Sequence, residues 1–338
     1  MMTVRPKMET RSRTDAKKPS GTMNLFTSEL VGSTSAKRPG QCQGKIQAVL
    51  TGKYLTSIPV VKPSKLTSKE RGGIGKNLSE GWAANFAIGC THACTFCYVD
   101  SIHRRYRSKA LGFEGTPWGS YLFIPDNIEE AIESTRWSSW ANKEVMLSST
   151  HDPYLPSLAK HTRRILELGL PEGVRFCIQT RSPLVLRDFP LIERFRDMVR
   201  VQVSIATMDR RFARAIEPRV APPDARLRIL VEAKAHAIRA GIIIAPVFPP
   251  MHLRKDPESD VERLIGRLAE IKPDHIFGES LHARGSNLVH TERCIGEPIS
   301  ASLLRDFDRS FERVFKELLQ RNGLKGEWWP EHRKKAQS

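Results

Sequence analysis

Long apolar runs are missing from this sequence of 338 residues. A bilayer-spanning helix needs about 20 consecutive apolar residues, whereas the longest run here, Gly241 to Phe248, has the length of a buried strand. The first residues are basic and polar and lack the apolar stretch of a secretory signal. These absences exclude an integral membrane protein and predict a cytoplasmic chain with no membrane partner.

Cysteines and acidic residues are also scarce. Only six cysteines occur and three of them are clustered, which excludes a small secreted disulfide scaffold and favours a metal site in a reducing compartment. Asp and Glu number 37 against 54 Lys and Arg, so the formal net charge is +17. Such a surplus is typical of proteins that bind polyanions. Apolar residues make up 40%, an ordinary globular content that excludes a wholly disordered chain.

Four segments differ in composition. Residues 1–40 are basic without a sustained apolar period and predict a disordered tail, either solubilising or in contact with nucleic acid. Residues 41–80 are mixed and predict an N-terminal extension. Residues 81–282 alternate short apolar runs with helical periodicities, which is typical of one α/β domain. Residues 283–338 include the amphipathic stretch Leu303 to Leu319 and predict a C-terminal helical extension.

The central segment has the alternation expected of parallel βα units, without hairpin signals between the strands. Six strands fall short of a closed eightfold barrel, so a partly closed barrel and an open doubly wound sheet both fit. The predicted strands are Trp82–Ile88, Glu144–Ser148, Val174–Thr180, Val199–Ile205, Ile242–Phe248 and His275–Glu279. The predicted helices between them are Asn127–Ser134, Leu158–Leu168, Leu184–Phe195, Pro223–Ala240 and Ser259–Ile271.

The strongest signal for chemistry is a group of three cysteines, Cys90, Cys94 and Cys97, directly after the first predicted strand. Three thiolates from one loop can hold three corners of a cubane iron–sulfur cluster and leave the fourth iron open to a ligand. A structural zinc site is the alternative. It would need a fourth ligand such as His92 or His103, and it usually has two C-x-x-C pairs, whereas only one is present here.

The spacing C-x-x-x-C-x-aromatic-C resembles the signature of the radical S-adenosylmethionine (radical SAM) superfamily. The resemblance implies that Cys90, Cys94 and Cys97 ligate a [4Fe–4S] cluster and that Phe96 lies along the adenine of bound S-adenosylmethionine. It implies an α/β fold, a partial (β/α)6 TIM-like barrel of the radical SAM type with N- and C-terminal extensions. It also implies an electron donor such as flavodoxin or ferredoxin. In that fold the cluster loop follows the first strand, where the strand pattern independently places it.

Within the superfamily, residues from about 85 to 250 resemble the spore photoproduct lyase family, whose broader members are often labelled DNA repair photolyases. The pair Cys97-Tyr98 is similar to a Cys-Tyr pair of that family. The other similar blocks are Val203–Ile205, Ile216–Pro218, Asp224–Leu227, Ala240–Gly241 and Ile244–Val247.

This second resemblance implies further contacts to S-adenosylmethionine. Ser204 and Arg181 match positions that hold the amino-acid end of the ligand, and an arginine offers a bidentate fork to its carboxylate. Ala245 matches a backbone contact near the adenine, and His151 falls where the family has a serine that touches the same ligand. The alternatives are a capping role for Ser204 and a surface ion pair for Arg181. For Glu217 and Arg226 a structural pair with each other is the preferred interpretation.

The sequence departs from the lyase at the residue that returns a hydrogen atom. The lyase uses a cysteine near the end of its second strand, and Ser149 stands at that position. A hydroxyl O–H bond is too strong to yield hydrogen to a carbon radical, so thymine photoproduct repair by that route is not expected. Tyr98 is a candidate hydrogen relay or a shield for the cluster. Cys177 shares its side-chain parity with Arg181 and is either an inward catalytic thiol or a packing residue.

The resulting functional hypothesis is a radical SAM enzyme that cleaves S-adenosylmethionine reductively to a 5′-deoxyadenosyl radical and abstracts hydrogen from a substrate. The net charge and the basic run from Ile102 to Lys109, which contains one tyrosine, favour DNA or RNA as substrate or partner, in repair or base modification. Further basic charge lies in residues 69–76 and from Trp328 to Lys335. The alternatives are a radical enzyme acting on a peptide or small metabolite, and a nucleic-acid-binding protein with a structural metal site.

Overall fold

The protein is described by a computed structural model at residues 49–51, 55–61 and 81–329. The predicted basic tail of residues 1–40 and the basic stretch 69–76 lie outside the described residues, as do residues 330–338 of the predicted C-terminal extension. The segment boundaries proposed from composition stay predictions.

Strands and helices alternate along most of the described chain. The strands are β1 (Val49–Thr51), β2 (Val60–Val61), β3 (Trp82–Ala84), β4 (Ile88–Gly89), β5 (Leu122–Ile124), β6 (Glu144–Leu147), β7 (Arg175–Thr180), β8 (Val199–Ser204), β9 (Arg239–Val247), β10 (Ile276–Ser280) and β11 (Glu327–Trp328). The helices are α1 (Val99–Tyr106), α2 (Ser108–Leu111), α3 (Ile128–Glu133), α4 (Ala159–Gly169), α5 (Phe189–Glu193), α6 (Arg210–Ile216), α7 (Pro223–Ala235), α8 (Pro257–Ile271), α9 (Asn287–Ile295) and α10 (Ala301–Arg321).

The main sheet has the strand order β11-β10-β9-β8-β7-β6-β3-β2. Its strands pair in parallel, apart from β2, which runs antiparallel to β3. Because parallel neighbours require crossover connections, the carboxyl ends of β3 and β6 to β10 meet at one edge, where barrel enzymes carry their sites. Among the described residues no strand pairing joins β11 to β2, so the barrel is open in that part of the chain. A smaller sheet joins β1, β5 and β4.

The predicted α/β class with parallel βα units and a partial barrel is confirmed, and all six predicted strands are present. Parallel strands are covered on both faces, and their sequences are therefore nearly continuous apolar runs. In β8 and β9, for example, Val201, Val203, Ile242 and Ile244 are fully buried. None of the described helices is long and apolar enough to cross a membrane.

Three predicted elements end elsewhere than expected. The first predicted strand is divided in two, since β3 ends at Ala84 and the chain then enters the smaller sheet with β4. The predicted helix Pro223–Ala240 ends at Ala235, because Ala237 adopts a φ of 53° and the following residues join β9. The predicted helix Leu184–Phe195 is a 3₁₀ turn followed by the short α5, in which Pro190 lacks an amide proton for the helical ladder.

The amphipathic stretch Leu303 to Leu319 lies in helix α10, as predicted, and the chain after it supplies β11 to the edge of the main sheet. The two tryptophans at the start of the basic stretch from Trp328 to Lys335 are both buried. The Trp328 indole N–H donates to Asp308 Oδ1 at 3.0 Å, and Trp329 stacks on Phe277 at 4.5 Å between centroids. Burial of these two large rings stabilises this edge of the main sheet.

Candidate functional site

A cleft opens at the edge of the main sheet where the carboxyl ends of the parallel strands meet. It is lined by the loop after β4 and by the residues at and after the ends of β6 to β10. The residues predicted from the sequence that line it are Cys90, Cys94, Phe96, Cys97, Tyr98, His151, Arg181, Ser204 and Ala245.

The three clustered cysteines face this cleft as free thiols. Burial raises the pKa of Cys90 and of Cys97 to about 12, and it raises the pKa of Cys94 further. Buried thiols of this kind become thiolates when a bound metal compensates the charge. The site is therefore built for thiols that ionise on metal binding rather than for free nucleophilic thiolates.

Backbone donors already point at two of these sulfurs. The N–H groups of His92 and Asp152 donate toward Cys90, and that of Val99 donates toward Cys97. Hydrogen bonds to the sulfurs are one of the means by which proteins set the reduction potential of an iron–sulfur cluster. The loop thus supplies both ligand atoms and their supporting donors.

The donor set fits a multi-iron cluster better than a closed zinc site. Among the described residues, no group of three or more His, Cys, Asp and Glu side chains is placed to hold one metal ion. Of the two candidate fourth zinc ligands, the Nε2 of His92 contacts Asp152 Oδ2 at 3.0 Å. The other, His103, is buried beside the ring of Trp118 and does not line the cleft.

A glycine outside the cysteine motif shapes the loop that carries it. Ala93 between the first two cysteines adopts a φ of 57°, and Gly119 with a φ of 86° lies directly against it. A Cβ atom on Gly119 would overlap the Cβ of Ala93. The loop can adopt its conformation because position 119 has no side chain, a requirement that the cysteine spacing does not reveal.

We expect Gly119→Ala to lower iron incorporation several-fold, since the new methyl group must displace the cysteine loop. The overlap adds about 1–3 kcal/mol of destabilisation to the about 1–2 kcal/mol cost of a left-handed alanine. Iron and sulfide analysis after anaerobic reconstitution measures the effect. Gly112→Ala is the matched control, because Gly112 has a φ of 68° and no atom within 4 Å of the added methyl group. Equal iron content in both variants would contradict the prediction.

Asp152 is a residue of the cleft that the sequence did not single out. Its carboxylate is buried and accepts from Thr180 Oγ1 and the backbone N–H of Arg181, each at 2.7 Å. It also contacts His92, so one carboxylate ties the cysteine loop to the end of β7. Burial alone would raise the pKa of Asp152, but these bonds hold it below its usual value. The available signal was its place directly after a predicted strand at the sheet's carboxyl edge.

Arg181 belongs to a buried chain of charges rather than to a surface pair. Its Nε donates to Glu217 Oε1 at 2.9 Å, and Arg226 Nη2 donates to Glu217 Oε2 at 2.7 Å. The structural Glu217–Arg226 pair is confirmed, with both side chains 1% exposed. The Arg181 side chain is 21% exposed, with its guanidinium carbon 5.6 Å from the ring centroid of Phe96. One edge of the Arg181 guanidinium is therefore bonded to Glu217, and another edge faces the cleft.

Four residues that line the cleft carry a buried side-chain polar atom without a hydrogen-bond partner among the described residues, and two of these atoms are Ser204 Oγ and His151 Nε2. Burial lowers the pKa of His151 to about 3, so its ring is neutral at physiological pH. Buried polar atoms normally have hydrogen-bond partners. A polar ligand bound in the cleft would supply the partners that these atoms lack. On the opposite side the backbone carbonyl of Ala245 accepts from Arg181 Nη2 at 3.4 Å.

Of the three positions considered for returning a hydrogen atom to the substrate, two line the cleft and one does not. Ser149 lines the cleft and is held by Asn85, whose Nδ2 donates to Ser149 Oγ at 2.9 Å. Tyr98 lines the cleft beside Cys97, under the guanidinium of Arg284. Cys177 points into the barrel interior, as its strand parity predicts, but it packs in an apolar group with Met146 and does not line the cleft.

A second wall of the cleft, formed by the end of β10 and the loop after it, was also not predicted. It carries Glu279, His282 and Arg284. Glu279 Oε1 accepts from Arg284 Nη2 at 2.6 Å and lies 3.1 Å from His282 Nδ1. Burial lowers the pKa of His282, but Asp308 and Glu279 outweigh it and raise the pKa to about 9. The sequence placed the last strand correctly and attached no chemistry to the residues that follow it.

Comparison with known protein families matches residues 84–265 to the profile described as the radical SAM superfamily. An uncharacterized protein of Acidianus two-tailed virus is 48% identical over 287 residues, which cover 85% of this chain and 95% of the relative. An uncharacterized protein of Mycobacterium tuberculosis is 28% identical over 211 residues, covering 61% and 60%. A protein of Pseudomonas phage M6 named radical SAM Nalpha-GlyT isomerase is 25% identical over 200 residues, covering 57% and 38%.

Solved structures of spore photoproduct lyase have a similar fold. The lyase complexed with dinucleoside spore photoproduct superposes with a TM-score of 0.57 at 14% identity, over 83% of this chain and 81% of that one. A variant of the lyase with bound S-adenosylmethionine and the same dinucleoside gives a TM-score of 0.54 at 13% identity, over 82% and 80%. At these identities the likeness concerns the fold alone.

Proposed function

The chain belongs to the radical SAM superfamily, and on that premise we propose that it modifies or repairs a base in DNA or RNA. It is a radical SAM enzyme whose cofactors are a [4Fe–4S] cluster and S-adenosylmethionine. The observation that carries the proposal is the cleft, in which three free cysteines of one loop and the unpartnered polar atoms of Ser204 and His151 face the same space.

In this proposal Cys90, Cys94 and Cys97 each hold one iron of the cluster, and the fourth iron is left for S-adenosylmethionine. When bound, the two cofactors supply reductive cleavage of S-adenosylmethionine and removal of a hydrogen atom from a substrate C–H bond. The backbone donors at Cys90 and Cys97 stabilise the anionic sulfurs. Cys94 and Phe96 of the loop are buried, and their packing keeps water from this side of the cleft, as radical chemistry requires.

The proposed ligand contacts follow from which donors and acceptors remain free. Arg181, fixed by Glu217, presents its other edge to the ligand carboxylate. Ser204 Oγ accepts from the ligand ammonium, and His151 Nε2 provides a neutral polar contact. Phe96 and the backbone at Ala245 border the adenine.

Thiol-mediated lyase chemistry is not part of the proposal. Ser149 stands where that chemistry needs a cysteine, and its hydroxyl is engaged by Asn85. Tyr98, beside the cluster loop, is the proposed shield or relay, and Cys177 lies outside the cleft lining. These placements favour a rearrangement or modification of a base over lyase repair, and the phage relative is itself named an isomerase.

Nucleic acid is the proposed substrate class because two independent properties favour it. The net charge of +17 suits a polyanion. The lyase of similar fold has been solved with a dinucleoside bound. No feature of the described cleft favours a peptide or a small metabolite over this class. A flavodoxin or ferredoxin is the proposed source of electrons.

The test is anaerobic reconstitution followed by incubation with dithionite, S-adenosylmethionine and either DNA or RNA oligonucleotides or a peptide mixture of similar charge. We expect about four irons per chain and 5′-deoxyadenosine formation that rises when an oligonucleotide is added. Liquid chromatography with mass spectrometry measures both the nucleoside and the altered base. Stimulation by peptides alone would transfer the proposal to its runner-up substrate class. One zinc per chain without cleavage would refute the enzyme assignment.

A further inference from the structure

Arg284 is a cation of the cleft that the proposed cofactor site does not use. Its guanidinium carbon lies 5.5 Å from the ring centroid of Tyr98, and its Nη2 donates to Glu279 Oε1 at 2.6 Å. The side chain is 38% exposed, and its Nε and Nη1 have no hydrogen-bond partner among the described residues. Glu279 and Tyr98 therefore fix the plane of a guanidinium whose remaining N–H groups stay available.

The other arginine of the cleft is more fully engaged. Arg181 is bonded to Glu217, which it shares with the fully buried Arg226. A guanidinium held along one edge and free along another is suited to a bidentate contact with a phosphate or carboxylate. Arg284 has this arrangement on the wall formed by the end of β10 and the loop after it, beside the ring of Tyr98.

The loop that carries Arg284 is joined to the basic helix α1. The Ser286 backbone N–H donates to Ser101 Oγ at 2.8 Å, and a Cβ atom on Gly285 would collide with Ser101. On the helix, Arg105 stands one turn beyond Ser101 on the same face. The face of α1 that carries Ser101 and Arg105 therefore begins beside the Arg284 loop and extends away from the cleft.

Only part of the basic run on α1 is available to a partner. His103 is buried, and Arg104 donates to the buried Asp100 at 2.9 Å. Arg105 and Tyr106 are exposed, Tyr106 by 64%, and the Arg105 guanidinium carbon lies 5.3 Å from the Tyr106 ring centroid. An exposed aromatic ring next to a free cation is the arrangement on which single-stranded nucleic acids stack.

We propose that Arg284 binds the phosphodiester beside the nucleotide held in the cleft, and that Arg105 and Tyr106 bind the same strand further along α1. The inference rests on the proposed nucleic-acid function and adds the path of the strand. A base that reacts inside the cleft has to leave its stack, so the contacts on either side of it must hold backbone and a neighbouring base.

The experiment is equilibrium binding of a short fluorescent single-stranded DNA to the reconstituted protein as a function of salt. Arg284→Gln should weaken binding about tenfold to a hundredfold and reduce the slope of log K against log salt by about 0.7. Arg284→Lys should keep the slope but bind more weakly than the native protein, since it retains charge and loses the fork. Tyr106→Ala should weaken binding about tenfold with an unchanged slope, because stacking releases no counterions.

Arg313→Gln on α10 is the matched control, since it removes the same charge from a side chain that is 79% exposed and outside this face. It should bind like the native protein. Equal effects of Arg284→Gln and Arg313→Gln, or native binding by Arg284→Gln and Tyr106→Ala, would overturn the strand path. A native protein that binds no oligonucleotide would instead overturn the proposed function. Iron content and melting temperature, measured on each variant, identify any loss that comes from unfolding.

Discussion

Cys94→Ala is expected to abolish cluster incorporation and with it all cleavage of S-adenosylmethionine. Cys94 is 7% exposed and packs with Phe96 and Phe248, at the inner side of the cysteine loop. With one thiolate removed, two remain for a cluster that needs three protein ligands and an open fourth site. Iron and sulfide content, the visible absorption of the cluster and 5′-deoxyadenosine formation measure the loss.

Cys177→Ala is the control for this first prediction. Both cysteines are buried free thiols, and burial raises the pKa of Cys177 to about 12 and raises that of Cys94 as well. Cys177 packs beside Met146 and does not line the cleft, so we expect native iron content and a modest loss of stability. Native cleavage by Cys94→Ala, or loss of the cluster in Cys177→Ala alone, would show that the wrong thiols have been assigned.

Glu217→Gln is expected to destabilise the fold by about 3–5 kcal/mol, the usual cost of breaking a buried ion pair from one side. The variant leaves Arg226, which is fully buried, without its counter-charge. It also releases Arg181, so the affinity for S-adenosylmethionine should fall as well. Chemical denaturation measures the stability, and isothermal titration of the reconstituted protein measures the affinity.

The acid sensitivity of the fold provides a second measurement on the same residue. Burial raises the pKa of Glu217, but Arg226 and Arg181 outweigh it and lower the pKa below its ordinary value of 4.5. The pair therefore contributes stability above about pH 4.5 that is lost as the pH falls through the lowered pKa of the folded state. Glu217→Gln should lack this part of the acid transition. Glu133→Gln, at an exposed pair with Arg164, is the matched control and should retain it.

The cysteine spacing and the strand pattern predicted the superfamily, the cofactors and the partial barrel, and the comparisons and the structure confirm them. Local information was sufficient for these features. A loop of eight residues brings its own three thiols together, and buried parallel strands between amphipathic helices leave a pattern at every unit. The pairing of Glu217 with Arg226 was likewise predictable, because the two residues are close in the sequence.

Features that depend on distant segments were missed. Asp152 contacts His92 across 60 positions, and the Arg284 loop meets Ser101 across 185. The burial of Trp328 also depends on residues from another segment, since its ring packs against Phe311 and Phe315 of α10. The composition of a short segment predicts how exposed that segment is on average. It does not show which edge of a sheet the segment will cover.

For this protein the sequence by itself determined which atoms are available for metal and ligand binding, because residue identity and close spacing decide the chemistry of a single loop. The tertiary structure alone decided how those atoms are held and which other groups face them. Gly119 leaves room for the cysteine loop, Asp152 joins that loop to β7, and Arg284 reaches the cleft from the far end of the sheet. Such contacts arise when a sheet brings the carboxyl ends of remote strands to one edge, and no local pattern in the chain records them.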